Sequence, residues 1–426
     1  MRLLIYTDGF IVVAGLAKGT YIMNENFDEI LKTIFEYLDK LPGNTGDKLK
    51  EAILEIKEKI GNNRPPRIMI IGRRGAGKSS LINALLKANI APTDPVESKT
   101  GAAKTYTCSN GLGSIEIVDT RGFADGNKPE DAIHENSIEE LKATVKGSPP
   151  DAILFLCKAS DVSSHIDSDL SSLKEIWDHV LDEHGGKIPI IALVTKVDEL
   201  PPVRVEPPFE NEEKQANIER ARGLLDKKLQ NHEISTIKVL AVSALTEFDE
   251  GNITYHRWWN IDILAEYLIE ILPKEAQFQM ARASMEKSVQ KKFAKPFVKI
   301  IAGGCAAIAA VPIPLADIVP ITSAQIFLVM AIAYVSGRDF SKENAIEFLA
   351  VIGANVGIGM ALREAARVLL KFMPVGGNMI SGGIAFAGTM AIGEAAILYF
   401  IDKKNIDEVK SSYASIFSLN NEVKPE

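Results

Sequence analysis

Eight residues constrain this chain more than any others: Gly72 to Ser79, which read GRRGAGKS. The spacing G-x-x-x-x-G-K-S is that of a phosphate-binding loop. Gly72, Gly75 and Gly77 let the backbone curl tightly enough for successive N–H groups to point at phosphate oxygens. Lys78 adds a point charge, the Ser79 hydroxyl is placed to hold Mg2+, and the helix that follows turns its positive end on the same anion. Arg74, Ala76 and Ser80 complete the expected nucleotide cradle. The flanks agree. RIMII, ending at Ile71, is a short apolar strand, and SLINALLK sets Leu81, Ile82, Leu85 and Leu86 at helical spacing.

Further buried-strand patterns recur at 114–119, 152–157, 188–195 and 237–242, with helical patterns between them. That alternation predicts a mostly parallel sheet covered on both faces, with functional residues at the carboxyl ends of its strands. Asp119-Thr120-Arg121-Gly122 follows one such strand. An Asp there reaches Mg2+ through water, and the Gly122 N–H meets a γ-phosphate. Thr195-Lys196-Val197-Asp198 ends another. The Asp198 carboxylate suits the N1 and N2 donors of guanine, a pair that adenine does not offer, and Lys196 is placed to lie over the base. Ser243-Ala244 ends a third and supplies a backbone N–H to the guanine oxygen. GTP or GDP with Mg2+ is the ligand that this series implies.

In these residues the chain resembles the translation-factor-related GTPases, nearest to the Era-like and dynamin-related branches, over about residues 67–273. The resemblance implies GTP hydrolysis with Lys78, Thr100 and Gly122 as the catalytic set. It implies that Ser79, Thr100 and Asp119 surround the metal; Thr93 and Thr105 are the alternatives to Thr100. Thr195 stands where Asn is usual, which predicts the loss of a side-chain tie to the phosphate loop. Gly75 replaces the Asn of potassium-activated relatives. Phe123 replaces a water-orienting Gln, so slow intrinsic turnover is expected, with Arg73, Arg74 or Arg121 as the candidate source of help in cis or across a dimer of nucleotide domains.

The chain is long enough for two or three domains. A net charge of -8 and a pI near 5.5 argue against a general nucleic-acid binder. Cys108, Cys157 and Cys305 are too far apart for a disulfide framework or zinc motif. The first residues, with Asp8 inside the apolar run, read as a small hairpin rather than a secretory signal. Two amphipathic helices are expected between residues 26 and 60, the first with Phe27, Ile30, Leu31, Ile34 and Leu38 on one face. The Pro-rich acidic stretch 201–215 reads as an exposed insertion, and His256, Trp258 and Trp259 as core packing.

Beyond Pro273 the character changes. Residues 274–298 read as one basic amphipathic linker helix. Residues 300–337 carry a single charge, Asp317, and 372–393 carry none. Pro312, Pro314 and Pro320 split the first stretch into arms of roughly 12 to 18 residues, about 18 to 27 Å as helix, short for a bilayer core. The words PIPLADIVP and YVSGR resemble a bacterial helical domain of unknown function that follows Era-like GTPase domains.

The expected architecture is an N-terminal hairpin and helical pair (1–64), an α/β P-loop GTPase domain (65–273), the linker helix (274–298) and a Gly/Ala-rich all-helical domain (299–426). The expected function is a guanine-nucleotide switch in the cytoplasm, peripheral or re-entrant at the inner face of the cell membrane. Membrane lipid and a nucleotide-dependent homodimer are the further partners considered, and no nucleic acid. The alternative is a self-assembling membrane scaffold of dynamin type.

Overall fold

The computed structural model describes residues 4–7, 10–13, 31–32, 34–41, 43–90, 104–119, 149–164, 166–184, 188–310, 318–341, 345, 348 and 382–421. They divide into two compact units, residues 1–62 with 290–426 and residues 63–289. The chain therefore enters the first unit, leaves it for the whole of the second, and returns.

In the first unit, β1 (Leu4–Thr7) and β2 (Phe10–Val13) pair antiparallel with Thr7 opposite Phe10, the expected hairpin. Leu31, Ile34 and Leu38 are buried as the helical spacing requires; Phe27 and Ile30 lie outside the described residues. Helix α1 (Asp47–Gly61) buries Leu49, Ala52, Ile53, Ile56 and Ile60 and exposes Lys48, Glu51, Glu55 and Glu58. Each buried aliphatic side chain contributes about 1.5–3 kcal/mol, so this one stripe fixes which face turns inward.

The second unit is built on a six-stranded sheet, β3 (Arg67–Gly72), β4 (Lys104–Ser109), β5 (Ser114–Asp119), β6 (Ala152–Lys158), β7 (Ile190–Thr195) and β8 (Lys238–Ala241), with α2 (Lys78–Leu86) following β3. The strand order is β4-β5-β3-β6-β7-β8. Only β4 runs antiparallel. Every residue of β7 is buried, as a strand covered on both faces must be. Helices α3 (Asp167–His184) and α4 (Glu212–Asn231) bury Leu170, Leu173, Ile176, Leu225 and Leu229 in the core that Met69, Phe155, Ala192 and Val239 also enter. A hairpin of β9 (Thr246–Asp249) and β10 (Asn252–His256) precedes α5 (Ile261–Ile271) and α6 (Lys274–Ser284).

The stretch expected as one linker helix is two. Met285 takes a left-handed φ of 54° between α6 and α7 (Lys287–Ala309), so the helix cannot run through. Helix α6 belongs to the nucleotide unit: Arg282 Nε donates to the Leu112 carbonyl at 2.7 Å.

The first unit resumes within α7 and continues with α8 (Ile318–Val335), α9 (Gly382–Ala396), a π-helical extension at Ile397–Ile401 and α10 (Ile406–Asn421). Small residues let these helices touch. A Cβ on Gly304 would lie 2.8 Å from Leu49 Cδ1, and one on Gly393 would lie 2.5 Å from both γ-carbons of Val298, so α1 and α9 both press directly on α7. Gln325 Nε2 donates to Thr389 Oγ1 at 2.9 Å inside the bundle. Among the described residues one helix, Gly382–Ile401, is long and apolar enough to cross a membrane, and 67% of it is buried within the fold. Asp317, Pro312 and Pro314 lie outside the described residues.

Candidate functional site

The phosphate loop leaves the end of β3 and turns into α2. Gly75 and Gly77 have φ of 77° and 90°, values that a side chain at Cβ would strain. Gly72 is needed for a different reason: a Cβ there would stand 2.7 Å from the Leu156 carbonyl oxygen of the neighbouring strand. Lys78 Nζ bends over the loop to the Gly72 carbonyl at 2.8 Å. Ser79 sits half-buried in the first turn of α2, where a hydroxyl suits a hard cation. Asp119 ends β5 in register with Ile70 of β3, at the same edge of the sheet as the loop. The Asp119 side chain, Thr100, Thr93, Arg121, Gly122 and Phe123 lie outside the described residues.

Arg73 does not project freely from the loop. Its Nε and Nη2 donate to the two carboxylate oxygens of Asp169 on α3, at 2.7 and 3.1 Å. That fork-to-fork pair raises the guanidinium pKa further and braces the loop against α3.

At position 195 the expectation is overturned. The Thr195 hydroxyl is buried and donates to the Ala76 carbonyl at 2.7 Å, so the tie between the base-binding strand and the phosphate loop is kept. A hydroxyl on a strand end reaches the acceptor that the expectation reserved for a longer amide. Lys196 follows with φ of 57°, and a short 3-10 turn, Val197–Glu199, carries Asp198. The Ser243 hydroxyl donates to Asp198 Oδ1 at 2.9 Å, joining the two loops expected to recognise the base. A carboxylate oxygen has lone pairs to spare, so this bond orients Asp198 without exhausting it. The Ser243 N–H donates to the Trp259 carbonyl at 3.2 Å, which leaves the Ala244 N–H as the donor next along the loop.

Two surrounding features add to the sequence reading. The stretch 201–215 is largely exposed, as expected, but it is also pinned: Phe209 is fully buried with its ring edge-on to Trp259 at 5.3 Å, and α4 already begins at Glu212. Arg257 holds it from the other side, donating to Glu206 Oε2 and to the carbonyls of Val203 and Val205 at 3.0, 2.9 and 2.6 Å. The β9–β10 hairpin is the second. Its signal was present in Glu250-Gly251, a pair with positive φ of 47° and 84° as a two-residue hairpin turn requires. His256 and Trp258 stack 4.1 Å apart, with His256 exposed rather than in a core.

Comparison with known proteins fits this geometry. Residues 67–196 match the family model described as 50S ribosome-binding GTPase. The chain is 25% identical over 256 residues to an uncharacterised Escherichia coli protein, YkfA, covering 59% of this chain and 76% of that one. It is 28% identical over 215 residues to GTPase Era of a Thermoanaerobacter species, covering 50% of this chain and 56% of Era, so it spans little more than half of that relative. Among solved structures, an Aquifex aeolicus Era variant bound to GDP and aluminium fluoride matches with 18% identity and a TM-score of 0.32, covering 58% and 68% of the two chains. With its nucleotide motifs in this order along a mostly parallel sheet, and with that family match, the chain carries a P-loop GTPase domain of the Era-like kind, whose reaction is the hydrolysis of GTP.

Proposed function

We propose that this protein is a guanine-nucleotide switch in which Lys78, Ser79, Thr100, Asp119 and Gly122 handle phosphate and Mg2+, while Thr195, Lys196, Asp198, Ser243 and Ala244 select the base. The observation that carries it is the convergence of three loops: Thr195 tied to Ala76 of the phosphate loop, and Ser243 tied to Asp198. Ser79 and Asp119 would hold Mg2+, which supplies charge neutralisation between the phosphates. Lys78 contributes a cation at the loop and the N-terminus of α2 contributes its N–H groups, which together orient the phosphates. Hydrolysis is slow in the isolated protein because Phe123 has no group to polarise water, and an arginine, Arg73, Arg74 or Arg121, supplies the missing charge in cis or across a nucleotide-dependent dimer.

The test is equilibrium binding of fluorescent GDP in competition with ADP. GDP displaces and ADP does not; Lys78→Ala abolishes tight binding. Equal competition by ADP overturns the base assignment, and unchanged affinity in Lys78→Ala overturns the phosphate assignment. A turnover near 10 per second in dilute monomeric protein, the pace of an ordinary enzyme, would overturn the slow-switch reading.

Association with the inner face of the cell membrane is the second part of the proposal, supported by the apolar helix Gly382–Ile401. Retention in the membrane pellet after alkaline carbonate supports insertion. Release by carbonate supports a peripheral contact, and absence from that fraction at native expression level overturns the association.

A further inference from the structure

Lys214 stands where elementary electrostatics disfavours a lysine. It is in the first turn of α4, at the positive end of the helix, and its residue is fully buried. Burial and the nearby Arg257 guanidinium both push its pKa down. The compensation is specific. Its ammonium donates to the Asp198 carbonyl at 2.8 Å and to the Leu200 carbonyl, and it sits 5.0 Å from the centre of the fully buried Phe209 ring. Those two carbonyls bracket the end of the 3-10 turn whose middle residue is Asp198. The Asp198 side chain is held by Ser243 on one side, and its backbone is held by Lys214 on the other.

We infer that Lys214 is a positioning residue for guanine selection: it fixes the backbone of Asp198 so that the carboxylate meets both base donors at once. The inference rests on the proposed role of Asp198. Helix α4 is kept in place for this task by its own cap, the Asn211 Oδ1 accepting from the Lys214 N–H at 3.0 Å, so the lysine enters the core at a fixed register. Phe209, fully buried beside it, closes the site to water and keeps the ammonium from trading the two carbonyls for solvent. Two donors on guanine need a carboxylate of fixed direction. One donor does not, because a single hydrogen bond survives a swing of the side chain.

The experiment compares GDP with IDP, whose base lacks the 2-amino donor, by calorimetry on the full chain. Wild-type protein prefers GDP by about tenfold or more, the value of one hydrogen bond to a charged acceptor. Lys214→Met brings the two affinities to within about twofold by weakening GDP, while IDP, held by phosphate and a single base donor, changes about twofold or less. Lys214→Gln, with one donor in place of the ammonium, falls between. Lys227→Met, exposed on the same helix, behaves as wild type. A GDP preference unchanged in a folded Lys214 variant overturns the inference, as does failure of both variants to fold, which would make Lys214 a stability residue only. A wild-type protein without any GDP preference removes the Asp198 reading itself, a result separable from the first two.

Discussion

A threonine hydroxyl joins the base-recognition strand to the phosphate loop, and its small size makes the link testable. Thr195→Val keeps the shape of the side chain and removes the donor to Ala76, at a cost of about 1–2 kcal/mol for the orphaned carbonyl and the lost bond. Denaturant unfolding should register that loss, and GDP affinity should fall about tenfold because loop and strand no longer share a register. Asp198→Asn exchanges one acceptor for an amide donor. The variant should lose GDP and gain XDP, whose 2-oxo group accepts where guanine donates, in the same competition assay. The cysteines give a third prediction. Burial raises Cys108 to about 11 and Cys157 and Cys305 to about 12, against an ordinary value of 9.0. All three stay protonated at neutral pH, so the native protein should react with a thiol reagent at pH 8 far more slowly than the unfolded chain. The folded form holds these protons while the unfolded chain releases them, so stability falls as pH rises above about 9, which a series of melting curves will show.

Among the described elements, the β4–β5 turn is tightly specified. Asn110 uses all its bonding positions there: Nδ2 donates to the carbonyls of Leu86 and Ala283 at 2.9 and 2.8 Å, and Oδ1 accepts from the N–H groups of Leu112 and Gly113. One amide thus joins the end of α2, the turn and the end of α6. A Cβ on Gly113 would stand 2.5 Å from the Ala283 nitrogen, so Gly113→Ala forces two backbones apart and should cost about 1–3 kcal/mol, read as a lower melting temperature. This turn also shows what the sequence made legible. The parallel strands were readable because runs such as IIALV and ILFLC are apolar on both faces. Strand β4, KTYTCS, has one polar face and was missed, although Asn110-Gly111 after it is a hairpin signal. The motif residues were readable because their spacing is local. The partners of those residues were not. Asp169 under Arg73, Lys214 under Asp198 and Arg257 under Glu206 are contacts between separate segments, 96, 16 and 51 residues apart, and no periodicity announces them.

For the whole molecule, the division into two units makes two predictions. A fragment of residues 63–289 contains the entire sheet and its own core, and should bind GDP within about threefold of the full chain, checked by the same titration. Removing residues 1–62 should leave the nucleotide site intact and strip Leu49, Ile53 and Ile56 from the helical unit, uncovering the surface at Gly304; light scattering without nucleotide should then report association beyond that of the full chain under the same conditions.

That arrangement also sets an order of events at the ribosome. Helix α1 emerges early, yet the surface that receives its apolar stripe is encoded only after the nucleotide unit has been made. At about 5–20 residues per second, the stripe waits on the order of ten to fifty seconds for its other half. Throughout that interval the newborn chain carries an unpartnered helix while its nucleotide unit is still being made, and anything that grips an amphipathic helix has its best opportunity then.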